Sequence, residues 1–377
     1  MRPAPEFSPY PLAPPPGYSR WLAGGVALLA LVSSATVMLR PFLEPVFAAV
    51  AMGLALVLWA LALLLRVLYF RFNRYNAHGY DASVRQVQQA WWKRHRQQAS
   101  LVDTVLLGPQ CVTPDQRAQS FNAGLAEPVA QTLAGGTALR VRQVVGLDVA
   151  TRERQLAKLL VAQWLQQTPE VAGFDVRRCY WNGSPAGWQA FVEQLACHRP
   201  QVRLPAHPTP WEGLHSLDAI IDQLHAAPAG TRILCAGCES AVPQFDAAAP
   251  AGEAALLWVF ALQGGVGVCR GEWFTEGAEP LERVAERALC QSDLALPASV
   301  CVSLFPSVST DVGAVGLSAE RYPQDARFGR LPLLGAMVAQ TLAAWHAYQQ
   351  GEPCAWLAND PHHTLTLGVV KPNDKNN

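Results

Sequence analysis

Two uncharged apolar runs dominate the start of the chain, Trp21 to Leu39 and Val46 to Leu65. At 1.5 Å per helical residue, about 20 residues cross a hydrocarbon layer of about 30 Å. Only Arg40 to Pro45 separate the two runs, so the pattern predicts a transmembrane helical hairpin at residues 21–65. A cleaved signal peptide would show one shorter apolar stretch. The leader, residues 1–20, holds Pro3, Pro5, Pro9, Pro11, Pro14, Pro15 and Pro16, which block an early helix and predict a loose tail. Beyond the second run the basic residues Arg66, Arg71, Arg74, Arg85, Lys93, Arg94 and Arg96 face a single acid, Asp81. The positive-inside tendency then puts the leader and the large carboxyl part of this multi-pass protein in the cytoplasm. Arg66, Arg71, Arg74, Trp91, Trp92, Lys93 and Arg94 are the expected membrane-interface residues, on a basic stalk covering residues 66–102.

Further on, short apolar runs alternate with one-sided helical stripes. Thr104–Leu107, Arg232–Cys235, Ala254–Leu262, Ser299–Leu304 and Thr364–Val370 read as strands. Leu156, Leu159, Leu160 and Trp164 share one helix face, as do Leu214, Leu217, Ile221 and Leu224. Ser184-Pro185 is a helix opening, with a side-chain acceptor followed by a residue that has no donor to waste. Leu281–Leu289 and Leu333–Tyr348 complete the helices, while 242–252 and 306–329 read as long connections. The alternation favours an α/β architecture over a sandwich or a bundle.

Composition narrows the function. With 29 basic and 29 acidic residues, no net field exists to hold nucleic acid. Nine irregularly spaced cysteines disfavour a secreted disulfide scaffold. Cys235 and Cys238 form the only close pair; without a second pair, packing is the economical reading over zinc or thiol chemistry. His362 and His363 are expected to diverge, His198 to complement a helix end, and His215 has no recognisable partner. No phosphate loop or dinucleotide fingerprint occurs, and no cofactor or metal is expected.

The stretch Leu214 to Leu262, with Arg232–Glu239, Phe245-Asp246 and Gly252-Glu253-Ala254-Ala255 in order, resembles the middle of the thiolase and ketoacyl-synthase superfamily. The later stretch FGRLPLLGAMVAQTLAAWHAYQQGEPCAWLANDPHHTLTLGVVKP is similar to that family's last long helix, asparagine-bearing turn and closing strand, with Asn359 near the asparagine position. The resemblance implies a five-layer αβαβα domain of two similar halves, here residues 103–265 and 266–377, commonly dimeric. It also implies a cysteine at the start of the Leu214–Leu224 helix, yet Pro208 to Gly213 contain none, and Trp211 is expected to fill acyl space. Arg330 stands where the family's later histidine is expected, and 305–320 offer Ser307, Ser309 and Asp311 but no histidine for the earlier one. Trp211, Glu212, Ser307, Ser309, Asp311, Arg330 and Asn359 therefore outline a degenerate pocket.

These readings converge on a non-catalytic accessory protein of a bacterial inner membrane whose pseudo-thiolase domain docks a protein partner. The resemblance suggests a type VI secretion accessory or effector adaptor. A membrane-bound acyl or lipid-processing enzyme, using Ser307, Ser309, Asp311 and Arg330, is the alternative. Transport is a weaker third class, because two spans offer little polar pathway unless the chain oligomerises.

Overall fold

A computed structural model describes residues 5–39, 44–119, 121, 127–168, 176–245, 247–305 and 316–372. Two compact units emerge, Arg2–Trp92 and Lys93–Asn377.

The first unit holds α1 (Tyr18–Met38) and most of α2 (Pro45–His95). Both are long and apolar enough to cross a membrane. Gly25 marks their contact: a Cβ there would lie 2.7 Å from the Trp59 ring, whose Nε1 donates to Trp21 O at 3.1 Å. The leader is not the loose tail expected from its prolines. Tyr80 Oη donates to Ser8 O (2.9 Å), Asn73 Nδ2 to Pro11 O (3.2 Å), and Arg66 Nη2 to Pro14 O (2.9 Å), while Asn73 Oδ1 accepts from Ala13 N (2.7 Å). Residues 66, 73 and 80 recur every two helical turns and so share one face of α2. An extended proline-rich segment has no internal hydrogen bonds, and its outward carbonyls suit that row of donors. The helix also continues unbroken to His95, so the stalk expected to reach residue 102 stops short of it.

The second unit opens with β1 (Ala99–Leu107), α3 (Pro114–Gln119) and the hairpin β2 (Gln131–Leu133) and β3 (Gly136–Ala138). Its first half continues with α4 (Val149–Gln167), β4 (Val176–Asn182), α5 (Pro185–His198), β5 (Thr209–Pro210), α6 (Leu214–Ala226), β6 (Arg232–Ser240) and β7 (Glu253–Ala261). The second half contains β8 (Val266–Val268), β9 (Glu272–Phe274), α7 (Leu281–Gln291), β10 (Ala298–Leu304), β11 (Ser318–Pro323), α8 (Asp325–Phe328), α9 (Gly335–Gln350), β12 (Cys354–Asn359) and β13 (Leu365–Lys371). Apart from β2 and β3, which pair only with each other, the strands form one sheet in the order β11-β10-β12-β13-β8-β1-β7-β6-β4-β5, with β9 also on β13. The two halves meet where β1 pairs with β8, at Ala99 with Val268 and Leu101 with Val266.

Strand periodicity sorts the apolar residues into three cores. Along β7, Ala254, Leu256, Trp258 and Phe260 face a central core with α6 and α9, while Ala255, Leu257 and Val259 face α4 and α5. Along β12, Cys354, Trp356 and Ala358 face the same central core, while Ala355 and Leu357 face α7. The layers are therefore α4/α5, half-sheet, α6/α9, half-sheet and α7, the five-layer αβαβα arrangement. Local rules set the helix starts. Ser184 Oγ accepts from Gly187 N at 3.2 Å with Pro185 at the first helical position, and Asp148 Oδ1 accepts from Thr151 N at 2.7 Å. The connection expected across 306–329 contains β11, an edge strand; 306–315 lie outside the described residues.

One buried carboxylate ties the first half together. Glu253, fully buried at the start of β7, accepts from Val141 N (2.7 Å), Ser240 Oγ (2.8 Å), and Arg152 Nε and Nη2 (2.7 and 2.8 Å). Its charge is tolerable inside because every bond to it comes from a positioned donor.

Candidate functional site

Strand β5 feeds α6 through Trp211, Glu212 and Gly213. Gly213 has φ 59 and ψ −131, a backbone state that side-chain-bearing residues enter only with strain. It makes no side-chain cap, and Glu212 N instead donates to Ser216 Oγ at 2.8 Å, pinning the entering chain. A Cβ built on Gly213 would lie 3.6 Å from Asp360 Oδ2. A helix start favours negative charge, and here a carboxylate from the turn after β12 supplies it. Asp360 is itself held firmly: its Oδ1 accepts from His362 N (2.9 Å), His363 N (3.0 Å) and His363 Nδ1 (2.9 Å). The His363 ring lies on Trp273, with centroids 5.2 Å apart and planes at 20°, and His215 of α6 reaches the same indole at 4.6 Å.

Trp211 closes the inner side. Its indole meets Tyr180 at 6.1 Å and Trp258 at 5.7 Å, both edge-on, and Trp258 Nε1 donates to Thr341 Oγ1 of α9 at 2.8 Å. Aromatic rings thus pack together in the central layer beside α6.

Asp360 also lines a cavity of about 270 Å³, together with Leu304, Gly329, Arg330, Leu331, Pro332, Asn359, Pro361 and Thr364. Backbone bonds fix Arg330: its N–H donates to Pro250 O (2.8 Å) and its C=O accepts from Gly252 N (2.9 Å). Gly329, at φ 71, allows this approach, because a Cβ there would lie 2.6 Å from Pro250 O. Nearby, Glu239 at the end of β6 accepts from Leu333 N (3.0 Å) and Leu334 N (2.8 Å), satisfying orphan donors at the start of α9. Burial pushes its carboxyl up to about 7; the two backbone donors and Arg330 oppose this shift, and Glu153 adds to it.

Among the expected pocket residues, Arg330 and Asn359 line this cavity, and Trp211 and Glu212 form the approach to α6. Ser307, Ser309 and Asp311 fall outside the described residues. Sequence reasoning missed Asp360, His363 and Trp273. The available signal was local: an Asp followed closely by two residues with free N–H groups is a turn that binds its own side chain. Cys235 faces the central core and Cys238 the α4/α5 core, so opposite strand faces separate the C-x-x-C pair, and burial pushes both thiols up. No group of three metal-ligating side chains occurs among the described residues. Of the expected membrane-interface residues, Arg66 holds the leader and also lies over the Tyr69 ring, while Trp91 and Trp92 meet edge-on at 4.7 Å. Arg71, Arg74 and Lys93 are exposed, and Arg94 pairs with Asp222 of α6 at 2.7 Å.

Two outcomes follow from this geometry. In Gly213→Cys the new thiol would sit beside the Asp360 carboxylate, which disfavours a thiolate. Peptide-resolved alkylation by iodoacetamide at position 213 should therefore be about threefold or more faster in Gly213→Cys/Asp360→Asn than in Gly213→Cys alone; equal rates would refute the contact. For Glu239, the folded state holds a proton that the unfolded state releases between the ordinary carboxylate range and about 7. Its protonation thus stabilises the fold most at low pH, and that contribution fades as pH rises through about 7, by roughly 3 kcal/mol in all. The melting temperature of Glu239→Gln should rise relative to wild type between pH 5 and pH 8, whereas a pH-independent difference would contradict the assignment.

No family model and no curated protein matches the chain. Among solved structures, the ishigamide ketosynthase/chain length factor aligns with a TM-score of 0.50 at 16% identity, over 73% of this chain and 99% of that one. The acyltransferase ChlB3 aligns at 0.48 and 18% identity, covering 73% and 98%. The 3-oxoacyl-[acyl-carrier-protein] synthase III of Aquifex aeolicus aligns at 0.46 and 11% identity, covering 72% and 99%. At such identities the likeness speaks for the fold: the second unit is a thiolase-like αβαβα domain of the kind found in ketosynthases.

Proposed function

We propose that this chain is a membrane-anchored accessory protein whose thiolase-like domain has exchanged condensing chemistry for binding a protein partner. The observation that carries the reading is Gly213. Condensing acyl transfer needs a nucleophile at the helix start, and this position offers no side chain and faces a carboxylate. No cysteine lines the adjoining cavity among the described residues.

The hairpin reading draws support from the leader. Residues 8–14 bond to residues 66–80 of α2, beyond the apolar run that ends at Leu65, so both ends of the hairpin belong on one side of the membrane. Arg66, Arg71, Arg74 and Lys93 favour the cytoplasm for that side by the positive-inside tendency, in the bacterial inner membrane that the reading assumes. Tethering raises the effective concentration of the domain for a membrane-borne partner. Attachment to a type VI secretion assembly rests on the family resemblance alone.

A second reading, an acyl or lipid-processing enzyme, is favoured by one observation. Asp360 orients the His363 imidazole as an acid orients a general base. Among the described residues, no hydrogen bond from a serine, threonine or cysteine to that ring accompanies the contact with Asp360.

Two measurements test the proposal. Supplied with acyl and malonyl thioesters, the full-length protein in detergent should form no condensation product above an enzyme-free blank; turnover that survives removal of contaminating synthases would refute it. In inverted membrane vesicles, Ser8→Cys and a carboxyl-terminal tag should react with the same impermeant reagents, and labelling from opposite sides would refute the hairpin.

A further inference from the structure

We propose that the cavity beside Arg330 binds a small carboxylate carrying a short apolar tail. The inference rests on reading this cavity as a non-condensing site, and it adds the ligand class.

The charges on the cavity wall carry the argument. Asp360 is balanced where it stands: three donors occupy its Oδ1, and its Oδ2 faces the start of α6. Arg330 is not balanced in this way. Its Nη2 donates one long bond, 3.3 Å to Val242 O, and its buried Nε has no acceptor among the described residues. Glu239, the nearby acid, spends one carboxylate oxygen on two backbone donors of the α9 start. The rest of the half-exposed guanidinium keeps donors free, and a ligand oxygen in the cavity can take them.

Geometry then selects the ligand. A guanidinium presents a planar fork that matches a carboxylate with two parallel hydrogen bonds. The backbone of Arg330 is bonded on both sides to the 250–252 segment, which fixes the point from which its side chain starts. Asn359 and Thr364 add polar groups to the wall, while Leu304 and Leu331 give an apolar surface that suits an alkyl tail better than a phosphate. At about 270 Å³ the space lies just under the range of about 300–1,000 Å³ typical of drug-sized ligands, so the acid is a short one.

The test uses the full-length protein in detergent micelles, with butyrate, its neutral isostere butyramide, and inorganic phosphate as probes. Saturation-transfer NMR should detect butyrate, with butyramide weaker by about tenfold or more, and phosphate should displace butyrate only at higher concentration than unlabelled butyrate does. Arg330→Gln should weaken butyrate by a similar factor while Asn359→Ala weakens it less. Equal binding of butyrate and butyramide, preference for phosphate, or undiminished butyrate binding in Arg330→Gln would each overturn the proposal. If Arg330→Gln does not fold, the wild-type comparison of butyrate with butyramide decides alone. Failure here leaves the condensation assay untouched, and condensation activity would defeat the functional reading even if butyrate bound.

Discussion

A helix start buried in a protein needs negative charge or hydrogen-bond acceptors, and the way α6 meets that need governs everything around it. In a condensing enzyme a thiolate would exploit the same field. This chain places Gly213 at the turn and brings Asp360 alongside from the end of the opposite half-sheet. The carboxylate draws His363 into its turn, His363 lies on Trp273, and Trp273 meets His215 on α6 itself. A chain of polar and aromatic contacts thus surrounds the start of α6.

The surrounding charges obey the same economy. Glu239 accepts from two N–H groups at the start of α9, and these bonds oppose the rise in its carboxyl pKa that burial causes. Farther along α6, buried Arg270 bonds Asp218 at 3.1 Å and also holds Asp222, which accepts in turn from Arg94 at 2.7 Å. The central helix is therefore held by charge at both ends, and one of those charges comes from the last turn of α2.

Much of the architecture was legible because it follows from short-range pattern. The continuous apolar run of Ala254–Leu262, the Ser184-Pro185 opening and the stripe Leu214, Leu217, Ile221 and Leu224 all depend on local signals that the residues themselves announce. Strands β4 and β11 were harder. VRRCYWN carries two arginines among its apolar residues, and SAERYP lies at a sheet edge where one side needs no hydrophobe. The leader was misjudged for a related reason: proline rules out a helix but says nothing about a row of donors on α2. In the site, the missing cysteine and Arg330 were visible as departures from a pattern. The approach of Asp360 to Gly213 was not, because it joins segments far apart in the chain through the packing of two half-sheets.

The central claim is that the start of α6 cannot carry an acyl group. Its most direct test is intact-mass and peptide mapping of the full-length protein after exposure to an acyl thioester. The account predicts that the mass stays unchanged, with Gly213 and its neighbours unmodified and any trace acylation confined to the exposed Cys197 and Cys290. Stoichiometric acylation of a buried residue in the central layer, released by hydroxylamine, would contradict it.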